Sequence, residues 1–359
     1  MTRSVRTLLV AVVVAVALLV AGTVMALSLG SDEPLRPPAA ATGSSPAPDA
    51  PDDTSPWTPE RMSQARPRDP LVAEAPDPSG SAGSPGPNPS GTLGPLPDNV
   101  AEARPPVVAA AEVPRPYARD AVVGKLFFDA PEGPAVCSGT VIADPTAPGR
   151  SNLVWTAGHC VHAGKGGTWF KNVQFVPAFN SGGHATLGNL REPGPVAPFG
   201  QWWAADMATS QRWKDGGTGG DSPASAYDYG VVRVRNPDNS GRSLQETVGW
   251  ALPVWFDAPR DLARVAAFGY PQDPPYNGLA MFHCDQDPRR LTVDPASPPL
   301  LRIGCTMTGG ASGGGWYAKA PDGEVRLVSN SALGGTGRTW LAGPYLGADA
   351  RTVLASVRR

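Results

Sequence analysis

Three short stretches of the chain hold residues that could carry out acyl transfer. Trp155-Thr156-Ala157-Gly158-His159-Cys160 contains a histidine, Tyr227-Asp228-Tyr229-Gly230 an aspartate, and Gly309-Gly310-Ala311-Ser312-Gly313-Gly314 a serine set among glycines. A serine hydroxyl is a weak nucleophile at neutral pH. It needs a base within hydrogen-bond reach, and the base needs a partner that fixes its tautomer. His159 suits the base, Asp228 the partner and Ser312 the nucleophile. Glycines around Ser312 let the backbone turn sharply, so that amide N–H groups can converge on a developing oxyanion; those of Gly310 and Ser312 are the natural donors. Each stretch alone has a plainer reading: a Gly-rich turn, a histidine packed at a strand end, a carboxylate at a strand boundary. The three together are harder to explain that way. Asp215 and Asp221 are rivals for the carboxylate role.

Chain order separates the serine-hydrolase architectures. Gly310-Ala311-Ser312-Gly313-Gly314 fits the nucleophile elbow of the α/β-hydrolases, which requires Ser, then the acid, then His. The histidines are His159, His162, His184 and His283, and none follows Ser312. The subtilisin order, Asp, His, Ser, would need an α/β periodicity that the chain lacks. The order His, Asp, Ser is that of chymotrypsin.

The elements that must position these residues read as strands. β-Branched and aromatic residues dominate Val122–Phe128, Gly139–Ala143, Asn152–Thr156, Val173–Val176, Tyr229–Val234, Arg264–Phe268, Leu300–Ile303 and Val325–Ser329. Glycine and proline number 42 each, which suits turns between strands and excludes a helix bundle. Helical periodicity is confined to about Ala348–Val357, so the fold class is all-β with a short C-terminal helix. A net charge of -2 gives no reason to expect nucleic acid as a partner. The four cysteines, Cys137, Cys160, Cys284 and Cys305, have no metal-ligand spacing; no metal site is expected, and an even number in an exported chain suggests disulfides whose connectivity the residues leave open.

Residues 1–30 read as an export signal. Arg3 and Arg6 precede an uncharged run, Leu8–Leu29 being nearly all Leu, Val and Ala. The run is long enough to span a bilayer, so a cleaved signal peptide and a retained membrane anchor both fit. Either places the protein outside the cytoplasm, secreted or tethered to the outer face of the membrane. Residues 31–116 hold half of the 42 prolines and few apolar side chains, and are expected to form a disordered spacer, or else a pro-segment. Order is expected from Tyr117, with a first barrel over 117–240 and a second barrel plus helix over 241–359.

From about Val122 to Ser331 the chain resembles the trypsin-like, chymotrypsin-fold serine peptidases, and especially their bacterial glutamyl-endopeptidase-like branch. The likeness lies in Thr156-Ala157-Gly158-His159-Cys160, in Cys137-Ser138-Gly139-Thr140-Val141-Ile142 before it, and in Cys305-Thr306 with Gly310-Ala311-Ser312-Gly313. It implies two antiparallel six-stranded β-barrels, His159 and Asp228 from the first and Ser312 from the second. It also implies a Cys137–Cys160 bridge; the proximity of the other two cysteines in sequence points to Cys284–Cys305. The family's acidic pocket residue for Arg or Lys substrates falls at Thr306, and the pocket histidine of glutamate-specific members has no counterpart. A pocket walled by Thr306, Ser329 and Ser331, for small or uncharged side chains, is therefore expected, with Arg326 and Arg338 as the nearby cations. Ala311 stands where the family most often has the Asp that receives a new N-terminal amine. The oxyanion loop is thus expected to rely on its own backbone and on the Cys284–Cys305 bridge.

Together these features predict an exported serine endopeptidase acting on protein or peptide substrates through His159, Asp228 and Ser312, with no cofactor. The alternative is a catalytically inactive chymotrypsin-fold binding module at the cell surface. A tethered structural protein would account for the apolar run and the spacer but not for the three motifs.

Overall fold

A computed structural model describes residues 56–73, 102–186 and 196–357. The apolar run and the spacer residues 31–55 and 74–101 lie outside the described residues. Among the described residues no helix is long and apolar enough to cross a membrane.

The strands, in chain order, are β1 (Arg66–Pro67), β2 (Leu71–Val72), β3 (Ala111–Glu112), β4 (Val123–Ala130), β5 (Gly133–Ile142), β6 (Leu153–Thr156), β7 (Lys171–Pro177), β8 (Trp202–Thr209) and β9 (Gly230–Arg235) in the first half. The second half has β10 (Val265–Gly269), β11 (Phe282–Gln286), β12 (Arg289–Leu291), β13 (Leu300–Gly304), β14 (Gly315–Lys319), β15 (Val325–Asn330), β16 (Leu333–Gly335) and β17 (Trp340–Gly343). The described helices are short: α1 (Pro59–Gln64), α2 (Gln211–Gly216), α3 (Leu244–Val248) and α4 (Ala348–Ser356), with single 3₁₀ turns between strands.

Strands β5-β4-β7-β8-β9-β6 close on themselves through a β5–β6 ladder, giving a six-stranded barrel that carries β1 as an extra edge. Both faces of the sheet are buried: Leu126, Val154 and Phe175 lie on one and Phe127, Trp155 and Val231 on the other, each at most 1% exposed. Closure removes the open edges that a flat sheet would present. Gly124 is required here: a Cβ on it would sit 2.3 Å from the Val176 carbonyl oxygen.

The second half differs from a continuous barrel. It forms two five-stranded sheets, β15-β14-β10-β11-β3 and β12-β13-β17-β16-β2. Between β11 and the end of β13 the connection is covalent: Cys284 is bonded to Cys305. The other bridge joins Cys137 on β5 to Cys160 beside His159.

The larger departure from expectation lies ahead of Tyr117. Residues 102–116 are built into the second half. β3 pairs with β11, Thr306 N–H donates to the Val108 carbonyl, and Arg290 N–H donates to the Glu102 carboxylate. Residues 56–73 form a second ordered piece. Trp57, Met62 and Ala65 are buried in the main core. Trp57 lies 5.3 Å from the Phe127 ring and its Nε1–H donates to the Asn172 carbonyl. Thr58 caps α1 by accepting from Arg61 N–H. The Pro content that argued for a spacer is here compatible with short edge strands and a helix start, positions where proline loses no ladder bond.

Each bridge closes a loop of just over twenty residues, with separations of 23 and 21, and should contribute about 3 kcal/mol by restricting the unfolded chain. Replacing Cys137 and Cys160 by alanine is therefore expected to lower the urea midpoint and, because the unfolded chain then expands, to steepen the slope. An unchanged midpoint would contradict it.

Candidate active site

His159 and Asp228 are brought together by strand register. In the antiparallel β6–β9 ladder Thr156 faces Gly230. The residues that follow Thr156 thus run past those that precede Gly230. His159 sits in the 3₁₀ turn Gly158–Cys160, and Asp228 ends the turn Pro223–Tyr227. Asp228 holds His159 twice: Oδ1 accepts from the His159 backbone N–H at 2.8 Å, and Oδ2 lies 2.7 Å from Nδ1. Gly158 permits this approach, since a Cβ there would meet Asp228 Oδ1 at 3.0 Å and Thr209 Oγ1 at 2.6 Å. Of the rivals, Asp215 is exposed and accepts from Gln211, and Asp221 is exposed too.

Ser312 occupies the turn between β13 and β14. Gly310 and Gly313 there have φ of +97° and +81°, left-handed backbone that favours glycine. A Cβ on Gly313 would stand 2.1 Å from Thr156 Oγ1, so the turn fits against the first barrel only because that side chain is missing. Ser138 on β5 pins it. Its N–H donates to the Ser312 carbonyl at 2.7 Å, its hydroxyl donates to the Gly310 carbonyl at 2.8 Å, and it accepts from Tyr270 N–H. Asn330 ties the same region to the acid, donating to the Asp228 carbonyl and accepting from Trp155 Nε1–H. Ala311 lies in an apolar cluster with Cys284, Cys305 and Trp316.

The Gly310 and Ser312 N–H groups point at one carboxylate. Asp69, between β1 and β2, accepts from Gly310 N–H on Oδ2 at 2.8 Å and from Ser312 N–H on Oδ1 at 3.2 Å. Burial pushes the Asp69 carboxyl up, against the pull of His159 and hydrogen bonds from the Ser312 side chain and Gly310. His159 Nε2 is buried without a hydrogen-bond partner. Burial pulls the imidazole pKa down, but Asp228, by attraction and hydrogen bonding, and then Asp69 outweigh it and hold it above 6.5.

Beside Ser312 is a cavity walled by Asp69, Met307, Ser331, Leu333, Arg338 and Trp340, among others. Ser331 is in its wall. Thr306 and Ser329 are not: Thr306 Oγ1 is engaged by Ala110 N–H and the Tyr276 hydroxyl, and the buried Ser329 hydroxyl donates to the Pro344 carbonyl. Arg326 is occupied by Asp322 on the surface. Arg338 reaches the cavity, with Asp273 at 3.9 Å. The sulfurs of Cys137 and Cys160 lie near the His159 ring, but both are spent in the disulfide. Asp69, Ser138 and Asn330 were given no role by sequence reasoning; Ser138 lies in the Cys137–Ile142 stretch, while Asp69 and Asn330 stand in no motif.

No protein-family model matches the chain, and no curated protein matches it. Solved structures do. The thermostable serine protease AL20 from an extremophilic microorganism is 30% identical with a TM-score of 0.55, the match covering 67% of this chain and 100% of that one. The protease Anisep from Arthrobacter nicotinovorans is 26% identical with a TM-score of 0.55, covering 70% of this chain and 99% of that one. A Glu endopeptidase in complex with MPD is 17% identical with a TM-score of 0.48, a level that carries no argument about branch or specificity. The chain belongs to the trypsin-like serine proteases of the chymotrypsin fold, and its activity is that of a serine-type endopeptidase.

A base must be neutral to take a proton from Ser312. With the His159 pKa raised by Asp228 and Asp69, the neutral form is lost as pH falls through that raised value. The reactivity of Ser312 towards a fluorophosphonate should therefore rise with pH through a single ionisation above 6.5. Asp228→Asn should move that ionisation down and reduce reactivity on the order of 10⁴-fold. An ionisation unmoved by Asp228→Asn would contradict the pairing.

Proposed function

We propose that the protein is an exported endopeptidase that cleaves through an acyl-enzyme, with His159, Asp228 and Ser312 as its triad. The observation that carries this reading is the double hold of Asp228 on His159 beside two backbone N–H groups that converge next to Ser312. His159 Nε2 takes the Ser312 proton as Oγ bonds to the substrate carbonyl carbon, and the carbonyl oxygen becomes an oxyanion held by the Gly310 and Ser312 amides. Collapse breaks the C–N bond, and His159 passes its proton to the leaving amine. Water, deprotonated by His159, then attacks the ester and frees Ser312. Asp228 keeps its charge and fixes the tautomer throughout.

The substrates are proteins or peptides. Arg338 is partly offset by Asp273, and Met307, Leu333 and Trp340 contribute apolar wall. This supports a small or uncharged side chain before the cleaved bond. Two disulfides and the apolar run near the N-terminus support a location outside the cytoplasm, secreted or held at the membrane. A non-cleaving binding module would not require both the paired acid and base and the convergent amides.

Ser312→Ala should reduce hydrolysis to the uncatalysed background, a loss on the order of 10⁶ in turnover, with an unchanged melting transition. Equal, measurable rates would refute the assignment. In a peptide library, no preference of tenfold or more for Arg, Lys or Glu before the cleaved bond is expected, tenfold being about 1.4 kcal/mol; such a preference would overturn the pocket reading.

A further inference from the structure

Residues 56–73 cross the active site as a strap. Trp57, Met62 and Ala65 anchor it in the main core. β1 then pairs with β5 of the first barrel, Arg66 facing Ala135. Asp69 enters the pair of amide donors, and β2 pairs with β16, Leu71 facing Gly334. Gln272 Nε2–H donates to the Ala65 carbonyl and Thr336 N–H to the Val72 carbonyl, so the strap is held on both sides of Ser312.

We infer that this strap is an intramolecular inhibitor that holds the intact chain below its full activity, with the Asp69 carboxylate standing in for the oxyanion. The inference rests on the proposed role of Ser312. Three observations converge on it. Asp69 takes both donors that a reacting carbonyl oxygen would need. His159 Nε2 is left without a hydrogen-bond partner, so base and nucleophile are not joined while Asp69 occupies the site. Finally, the strap runs from the first-barrel edge to the second-barrel edge and pairs in parallel with both. A leaving amine must face His159 on the first barrel, so the acyl half of a substrate lies along the second and its chain runs the opposite way. The strap therefore presents a side-chain carboxylate to Ser312 rather than a peptide carbonyl. A side-chain carboxyl group is a poor acyl donor, with no amine to expel, and the occupant persists uncut.

Asp69 also lies close enough to His159 to add to the attraction of Asp228, against Arg68, and so to raise the imidazole pKa. Occupied donors and a more basic imidazole both trace to one carboxylate.

The test uses the full chain and two substitutions, Asp69→Ala and Asp69→Asn, with folding checked by thermal melts. The readouts are the second-order rate of fluorophosphonate labelling at Ser312 and its pH profile. Both variants should label at least tenfold faster than the unsubstituted chain, and the controlling ionisation should move to lower pH. Both labelling at the unsubstituted rate, with Ser312→Ala unlabelled, would overturn the inhibitor while leaving the nucleophile in place. No labelling in any of the chains would remove the proposed function and the inhibitor with it.

Discussion

Two backbone N–H groups, those of Gly310 and Ser312, face the same small volume beside the Ser312 hydroxyl. Backbone donors held out of water need an acceptor, because an unpaired one costs roughly 1–3 kcal/mol. A loop that aims two of them at one spot is therefore stable only with an acceptor there, whether a reacting carbonyl, a solvent molecule or a side chain of the protein. In the intact chain the acceptor is Asp69. Much of the surrounding structure follows from that demand. Gly310 and Gly313 supply the left-handed backbone, Ser138 binds the loop from the other barrel, and the Cys284–Cys305 bridge secures the strand that leads into it.

The site is assembled across two halves of the molecule, and the bonds between them do more than stabilise. Ser138 links Gly310, Ser312 and Tyr270, while Asn330 links Trp155 to Asp228. Both side chains are fully buried, where hydrogen bonds are strengthened by the low dielectric and a missing partner is correspondingly costly. His159 and Ser312 are thus placed by a shared network as well as by their own strands. With a buried Ala at position 311, the loop has no ion pair at its base and depends on this network.

The sequence was most legible where chemistry and periodicity coincide. Runs of β-branched residues located β4, β6, β7, β9, β10, β13 and β15, and the C-terminal pattern located α4. β8, Trp202–Thr209, was illegible because alanines replace the β-branched residues and its pairing with β7 and β9 defines it instead. The second barrel was expected from the resemblance alone; there the strands fall into two five-stranded sheets, with Cys284–Cys305 joining β11 to the end of β13. The strap could not be read at all by periodicity. Its clue was compositional: Trp57 is the one aromatic residue of 31–116, an expensive side chain to leave in water. Asp69, between Arg68 and Pro70, has no local signature, because its meaning comes from residues more than two hundred positions away.

The central claim is that Ser312 becomes acylated once its oxyanion donors are free. Mass spectrometry of the Asp69→Ala chain, mixed with an activated acetyl ester and quenched in acid within the first turnover, tests it most directly. The account predicts one acetyl group per chain, mapped to the peptide carrying Ser312 and absent when Ser312 is also alanine. An acetyl group mapped elsewhere, or none on a folded chain, would contradict it.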